Sequence, residues 1–90
     1  MIKIFYHKKV KGEILKLPRK EIILIRKVIE EKIKNNHLYI GKPLMGSLKN
    51  YRTLRVKDQR IIFRVTEKEV YILSIGHRKD IYKKAIKKLK

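Results

Sequence analysis

The sequence predicts an α+β fold: an N-terminal strand and a helical hairpin packed on a small antiparallel sheet, closed by a C-terminal helix. Three observations carry this. Residues 19–34 place isoleucines at helical spacing, residues 51–75 hold three runs rich in β-branched and aromatic residues, and residues 78–89 return to a helical period. The order β-α-α-β-β-β-α belongs to layered architectures in which helices cover a sheet. No repeat, linker or shift of composition divides the 90 residues, so 1–90 read as one domain.

The elements follow in order. "MIKIFY" alternates enough for a short first strand. In residues 8–17, "KKVKGEILKL", Val10, Ile14 and Leu17 recur at helical spacing, and Pro18 ends that helix or opens the next. Residues 19–34 are the clearest helix: Ile22, Ile25, Ile29 and Ile33 form a stripe that Leu24 and Val28 widen. "NNH" stops it, and "IGKPLMGSLKN" at 40–50 reads as loop. Strands are expected at about 51–56, 60–65 and 69–75. In the second, Ile61, Phe63 and Val65 face one side while Arg60, Ile62 and Arg64 face the other. "VYILSI" is apolar on both faces and predicts a covered, central strand. The last helix, 78–89, carries Ile81, Ala85 and Leu89 on one stripe.

Charge bounds the function. Lys and Arg number 26 against 8 Asp and Glu, a formal charge of +18, which calls for an anionic partner: nucleic acid, an acidic protein or a membrane surface. Lysine dominates the first half, whereas five of the seven arginines lie in residues 50–90. Arginine makes planar bidentate contacts with phosphate and lysine acts as a hydrated point charge, so phosphate recognition is expected in the second half. The absence of cysteine excludes disulfides and thiolate metal sites. The longest apolar run is "IILI" at 22–25, too short for a bilayer, and "MIKIFYHKKV" lacks the pattern of a secretion signal. A cytoplasmic protein with no membrane partner is expected.

The arginines are concentrated in "YRTLRVKDQRIIFRV", residues 51–65. With Lys57-Asp58 as a two-residue turn, Val56 faces Gln59, Arg55 faces Arg60, Thr53 pairs with Ile62 and Tyr51 with Arg64. Leu54 and Val56 then point to the core. Arg52 has core-side parity, which places it before the strand proper or at a bulge. Arg55, Arg60 and Arg64 share one exposed surface with Thr53 and Tyr51. Two guanidinium groups face to face cost roughly 0.2–1 kcal/mol, and a bound phosphate reverses the sign. A solvated basic face that deters edge pairing accounts for the same residues.

The stretches "KPLMGSLKNYRTLRVKDQRIIFRV" and "VYILSIGHRKDIYKKA" resemble the RelE/ParE toxin superfamily, and RelE ribonuclease toxins in particular. The similarity rests on "PLMG", the strand ending "LRV", the turn and strand "KDQRIIF" and the closing "IGHRKDIY", and it spans residues 40–85. It implies the toxin of a type II toxin–antitoxin system: a ribosome-dependent endonuclease that cuts mRNA in the A site, and one that is metal-independent, since acidic residues are few and isolated, with Asp58 and Asp80 the only aspartates. It further implies a monomeric toxin neutralised by an acidic RelB-like antitoxin, with ribosome and mRNA as the other partners and no cofactor. Family members use basic residues on the middle strands, an Arg after the last strand and a Tyr beyond it. Those roles fall on Arg55, Arg60, Arg78 and Tyr82. Arg52, Arg64, Lys57, His77 and Lys79 are the neighbouring candidates for contacting RNA. One departure is Thr53, two places ahead of Arg55, where relatives often carry a base.

The chemistry of RNA cleavage fits these residue types. The 2′-hydroxyl must lose a proton, the phosphorane oxygens need positive charge, and the leaving 5′-oxygen needs a proton. Arginines suit the charge role. A tyrosine ringed by Arg60, Arg78, Lys79 and Lys83 is favoured as phenolate and can serve as general base, although Tyr82 could equally pack the last helix on the sheet. His77 has two readings, as a structural group or as one that contacts RNA. Asp80 suits the first turn of the last helix. The Lys-rich ends, "KKVKGEILK" and "YKKAIKKLK", fit rRNA docking, solvated helix faces or an antitoxin surface. Two other functions remain open: a ParE-like toxin that inhibits gyrase, and a non-enzymatic basic RNA-binding domain.

Overall fold

The computed structural model of the chain describes residues 2–89. Its strands are β1 (Lys3–Tyr6), β2 (Lys42–Pro43), β3 (Arg52–Val56), β4 (Gln59–Val65) and β5 (Glu69–His77). Its helices are α1 (Val10–Leu15), α2 (Arg19–Lys27) and α3 (Ile81–Lys88). The strands form one sheet in the order β1-β5-β4-β3-β2. The expected α+β order therefore holds, with one strand added.

The sheet is mixed rather than antiparallel. β1 pairs parallel to β5, Lys3 against Glu69 through Tyr6 against Ile72, while the other pairs are antiparallel. Parallel neighbours need a long crossover, and the helical hairpin with the three intervening strands supplies it. Pro18 separates the helices: its carbonyl accepts the amides of Glu21 and Ile22, which opens α2. The long helix expected over 19–34 changes character at Val28. Val28–Ile33 continues it as a π-helical turn, which keeps Val28, Ile29 and Ile33 all buried. The first helix is shorter than its 8–17 pattern, and Leu17 packs from the connection. The segment 40–50, expected as loop, holds β2 and a 3-10 turn at Gly46–Leu48. Pro43 is tolerated because β2 is an edge strand.

Two apolar clusters hold the layers together. Val10, Ile25, Val28, Ile29 and Ile33 of the helical hairpin pack on Val56, Ile61, Phe63, Val70, Ile72 and Ile75 of one sheet face. On the other face, Ile81 and Ala85 of α3 meet Ile62, Leu73, Leu48 and Tyr51. Full burial of each large aliphatic contributes about 1.5–3 kcal/mol. β5 is thus covered on both sides, as "VYILSI" implied. The last stripe is corrected: Ile81 and Ala85 are buried, whereas Leu89 is exposed and Ile86 packs instead.

The hairpin register follows the sequence reading from Thr53–Ile62 to Val56–Gln59. Arg52 is the first residue of β3, directly opposite Phe63, and β3 carries no bulge. The irregularity lies one strand over: Ile62 pairs with Ser74 and Phe63 with Ile72, leaving Leu73 as the extra residue of β5. The face expected to be exposed is partly roofed by α3 and residues 44–51. Arg55 and Arg60 line one groove and Arg64 lines another. Among the described residues, no helix is long and apolar enough to cross a membrane.

Candidate functional site

The β3–β4 turn sets the geometry of the arginine pair. Lys57 adopts φ 56°, the left-handed conformation that a two-residue hairpin turn demands at its first position. Its carbonyl oxygen accepts a hydrogen bond from Arg55 Nε at 2.9 Å, which ties that guanidinium to the turn. Arg60 lies directly across the ladder. It is half-buried, and its Nε has no hydrogen-bond partner. Thr53 Oγ1 is likewise buried and unpartnered.

These groups line one groove of about 590 Å³, with Gly41, Lys42, Thr53, Leu54, Arg55, Arg60 and Tyr82 as its walls. Lys42 arrives because β2 pairs with β3, Lys42 opposite Thr53. Gly41, at φ 84°, makes that approach possible: a Cβ there would lie 3.0 Å from both Phe63 Cζ and the Thr53 carbonyl oxygen. Tyr82 enters from α3, half-buried against the second cluster. Gly76, the cross-strand partner of Arg60, lets Ile81 seat closely, since a Cβ there would lie 3.0 Å from Ile81 Cδ1. The groove thus collects three cations and a phenol, beside two buried polar atoms without partners, an arrangement suited to an anionic ligand.

The other sequence candidates lie elsewhere. Arg78 donates its backbone N–H to the Asp58 carbonyl at 3.1 Å, which docks it beside the β3–β4 turn, and its exposed side chain is not among the groove walls. His77 Nδ1 accepts the Lys79 amide at 3.2 Å, so this ring organises the β5–α3 turn. Lys57 and Lys79 are exposed outside the groove. Arg52 is a structural brace: its guanidinium donates to the carbonyls of His37 (3.3 Å), Leu38 (2.7 Å) and Ile40 (3.3 Å), fixing the segment that leads into β2. Arg64 lies 5.5 Å from the ring centroids of both Tyr51 and Tyr71. Burial, with Tyr51 next to it, pushes the Tyr71 phenol above its ordinary range, and Arg64 opposes this.

Lys42 and Gly41 were not anticipated. Their signal was present in "IGKP", where a glycine followed by a base and an edge-compatible proline can start a short strand.

A family model described as ParE toxin of type II toxin–antitoxin system, parDE, matches residues 4–82. The comparison with curated proteins gives no match. Among solved structures, the fold is similar to that of the RelBE2 toxin–antitoxin complex of Mycobacterium tuberculosis, with TM-score 0.78 and 22% identity over 86% of this chain and 91% of that one. E. coli toxin RelE, solved as a mutant in the free state, gives TM-score 0.78 at 16% identity over 99% of this chain and 98% of that one. The RelB–RelE complex of Methanococcus jannaschii gives 0.72 at 25% identity over 89% and 96%. The family match over most of the chain, on a sheet and helix arrangement shared with these toxins, places the protein in the ParE toxin family of type II toxin–antitoxin systems, within the RelE/ParE superfamily.

Proposed function

We propose that the chain is a ribosome-dependent endoribonuclease that cuts mRNA in the A site and is held inactive by a small acidic antitoxin. The observation that carries this reading is the joint presence of Arg55, Arg60, Lys42 and Tyr82 in one groove, with Arg60 Nε and Thr53 Oγ1 buried and unpartnered. The scissile phosphate lies between Arg55 and Arg60. The substrate 2′-oxygen attacks phosphorus as Tyr82, acting as general base, takes the hydroxyl proton. The bond from phosphorus to the 5′-oxygen breaks, and the leaving oxygen takes a proton from solvent. The products are a 2′,3′-cyclic phosphate and a 5′-hydroxyl. Arg55 and Arg60 stabilise the extra charge on the phosphorane. Arg78 neutralises a flanking phosphate beside the turn. The uncompensated positive surface suits an acidic chain that orders on binding, and two of the similar structures are toxin–antitoxin complexes.

Inducible expression followed by primer extension on a translated mRNA tests the reading. Cuts within codons that disappear when the start codon is removed are expected. The second reading is a ParE-like toxin that inhibits gyrase, and the matching family model, described as a ParE toxin, supports it. Intact mRNA together with broken or relaxed DNA after induction would select it.

A further inference from the structure

Away from the groove, one group of charged side chains is built into the fold and takes no part in the chemistry above. Lys88, at the last position of α3, directs its ammonium at three oxygens: Glu13 Oε2 at 2.6 Å, Ser74 Oγ at 2.8 Å and the Leu73 carbonyl at 3.0 Å. Glu13, from α1, completes the network. Its Oε1 accepts the Ile75 amide at 3.1 Å, and both its oxygens are within bonding distance of Ser74 Oγ. The side chains are 5% exposed for Lys88 and 12% for Glu13, so the pair is largely shielded although it lines a lysine-rich cleft. It forms where β1 has ended at Tyr6, leaving the edge of β5 open at residues 73–75 for α1 and α3 to meet.

A buried pair of this kind is weak evidence for stability, because desolvation offsets most of the attraction. Burial indeed pulls the Lys88 ammonium below its ordinary range, against the opposing effect of Glu13. What such a pair supplies is direction. α3 has eight residues and is otherwise held against apolar side chains by Ile81 and Ala85, with Tyr82 and Ile86 packed at the margin. Apolar burial is non-directional and leaves rotation and register of the helix loosely set. Three bonds to Lys88, six residues and about 9 Å along the axis from Tyr82, fix both. Tyr82 stands at the margin of the buried stripe, so rotation of α3 changes where its hydroxyl enters the groove.

We infer that Glu13 and Lys88 are positioning residues for Tyr82: the pair clamps the far end of α3 so that the hydroxyl meets the scissile nucleotide. This rests on the proposed role of Tyr82. A misplacement of about 1 Å can cost roughly 100-fold in rate.

The experiment is a double-mutant cycle on the full chain, read as cleavage of mRNA on programmed ribosomes and as thermal melting. The variant Glu13→Gln with Lys88→Met removes both charges together and should melt near the wild-type temperature. Its single-turnover cleavage should fall about 10- to 100-fold, with the ribosome concentration for half-maximal rate unchanged. In a Tyr82→Phe background the same change should lower cleavage less than twofold, since the group being positioned is gone. Ser74→Ala, which removes one acceptor and leaves the pair, should give a smaller loss with the same dependence on Tyr82, and it decides the matter if the double variant does not fold. An equal loss with and without the Tyr82 hydroxyl, or no loss in either background, overturns the inference while leaving the groove chemistry standing. Wild-type cleavage by Tyr82→Phe alone sinks both.

Discussion

Arg55 and Arg60 face each other across the β3–β4 ladder, and only Arg55 has a bonded guanidinium, to the Lys57 carbonyl. Arg60 keeps a buried, unpartnered Nε beside a like charge. Both features cost stability in the free protein, so Arg60→Gln should leave the fold unharmed or raise its stability by about 0.2–1 kcal/mol, less at high salt. The same change should slow cleavage by about 10²–10³-fold, the scale of losing one aligned donor. Urea melts and single-turnover assays on one preparation check both signs together. Lys57 is a second strained position. A lysine at φ 56° carries a penalty that glycine does not, so Lys57→Gly should stabilise the free chain by about 0.5–1 kcal/mol and sharpen the hairpin turn. Loss of stability in that variant would show that the side chain contributes more than its backbone strain costs.

The register of the hairpin was legible because period-two alternation and a two-residue turn leave one solution. The helical stripe was legible for the same kind of reason, although the π-helical turn at Val28–Ile33 lies below the resolution of a spacing argument. β2 was not legible. Two residues carry no period, and the segment that leads into β2 is braced from a distance, by Arg52 gathering the carbonyls of His37, Leu38 and Ile40. Arginine at core-side parity was expected to lie before the strand or at a bulge, whereas it sits in β3 and its guanidinium is taken up by the backbone acceptors of residues 37–40. The wall that β2 builds has its own test. Gly41→Ala introduces a Cβ at a left-handed φ and 3.0 Å from Phe63 and from the Thr53 carbonyl. It should destabilise the chain by roughly 1–3 kcal/mol and weaken cleavage further by pushing Lys42 outward. A melting curve and a cleavage rate that match wild type would mean that β2 does not shape the groove.

At the scale of the molecule, the two Lys-rich ends of the chain come together. Lys8, Lys9, Lys16, Lys84, Lys87 and Lys88 surround Glu13 in one cleft. That meeting could not be read from the sequence, because Glu13 and Lys88 stand at opposite ends of it and nothing local couples them. His7 lies at the rim, and its Nδ1 accepts the Lys9 amide at 3.1 Å. Desolvation, with Lys88, Lys8 and Lys9 adding to it against Glu13, pulls this imidazole below the ordinary histidine range. Protonation is therefore disfavoured in the folded state. The stability that the neutral ring contributes is present above about pH 6.5 and is lost as pH falls through the depressed value. The melting temperature should drop modestly from pH 7 to pH 5, and His7→Gln should flatten part of that slope. An unchanged slope would assign it to the carboxylates. The proposed function has one groove, built by β2, the β3–β4 hairpin and α3, cut RNA on the ribosome. It is tested most directly by adding the purified chain to ribosomes programmed with a defined A-site codon and mapping the mRNA ends. Cleavage within that codon is expected, none on the same mRNA without ribosomes, and a loss of about 10²–10⁴-fold for Tyr82→Phe. Uncut mRNA on programmed ribosomes, or undiminished cutting by both Tyr82→Phe and Arg60→Gln, would contradict it.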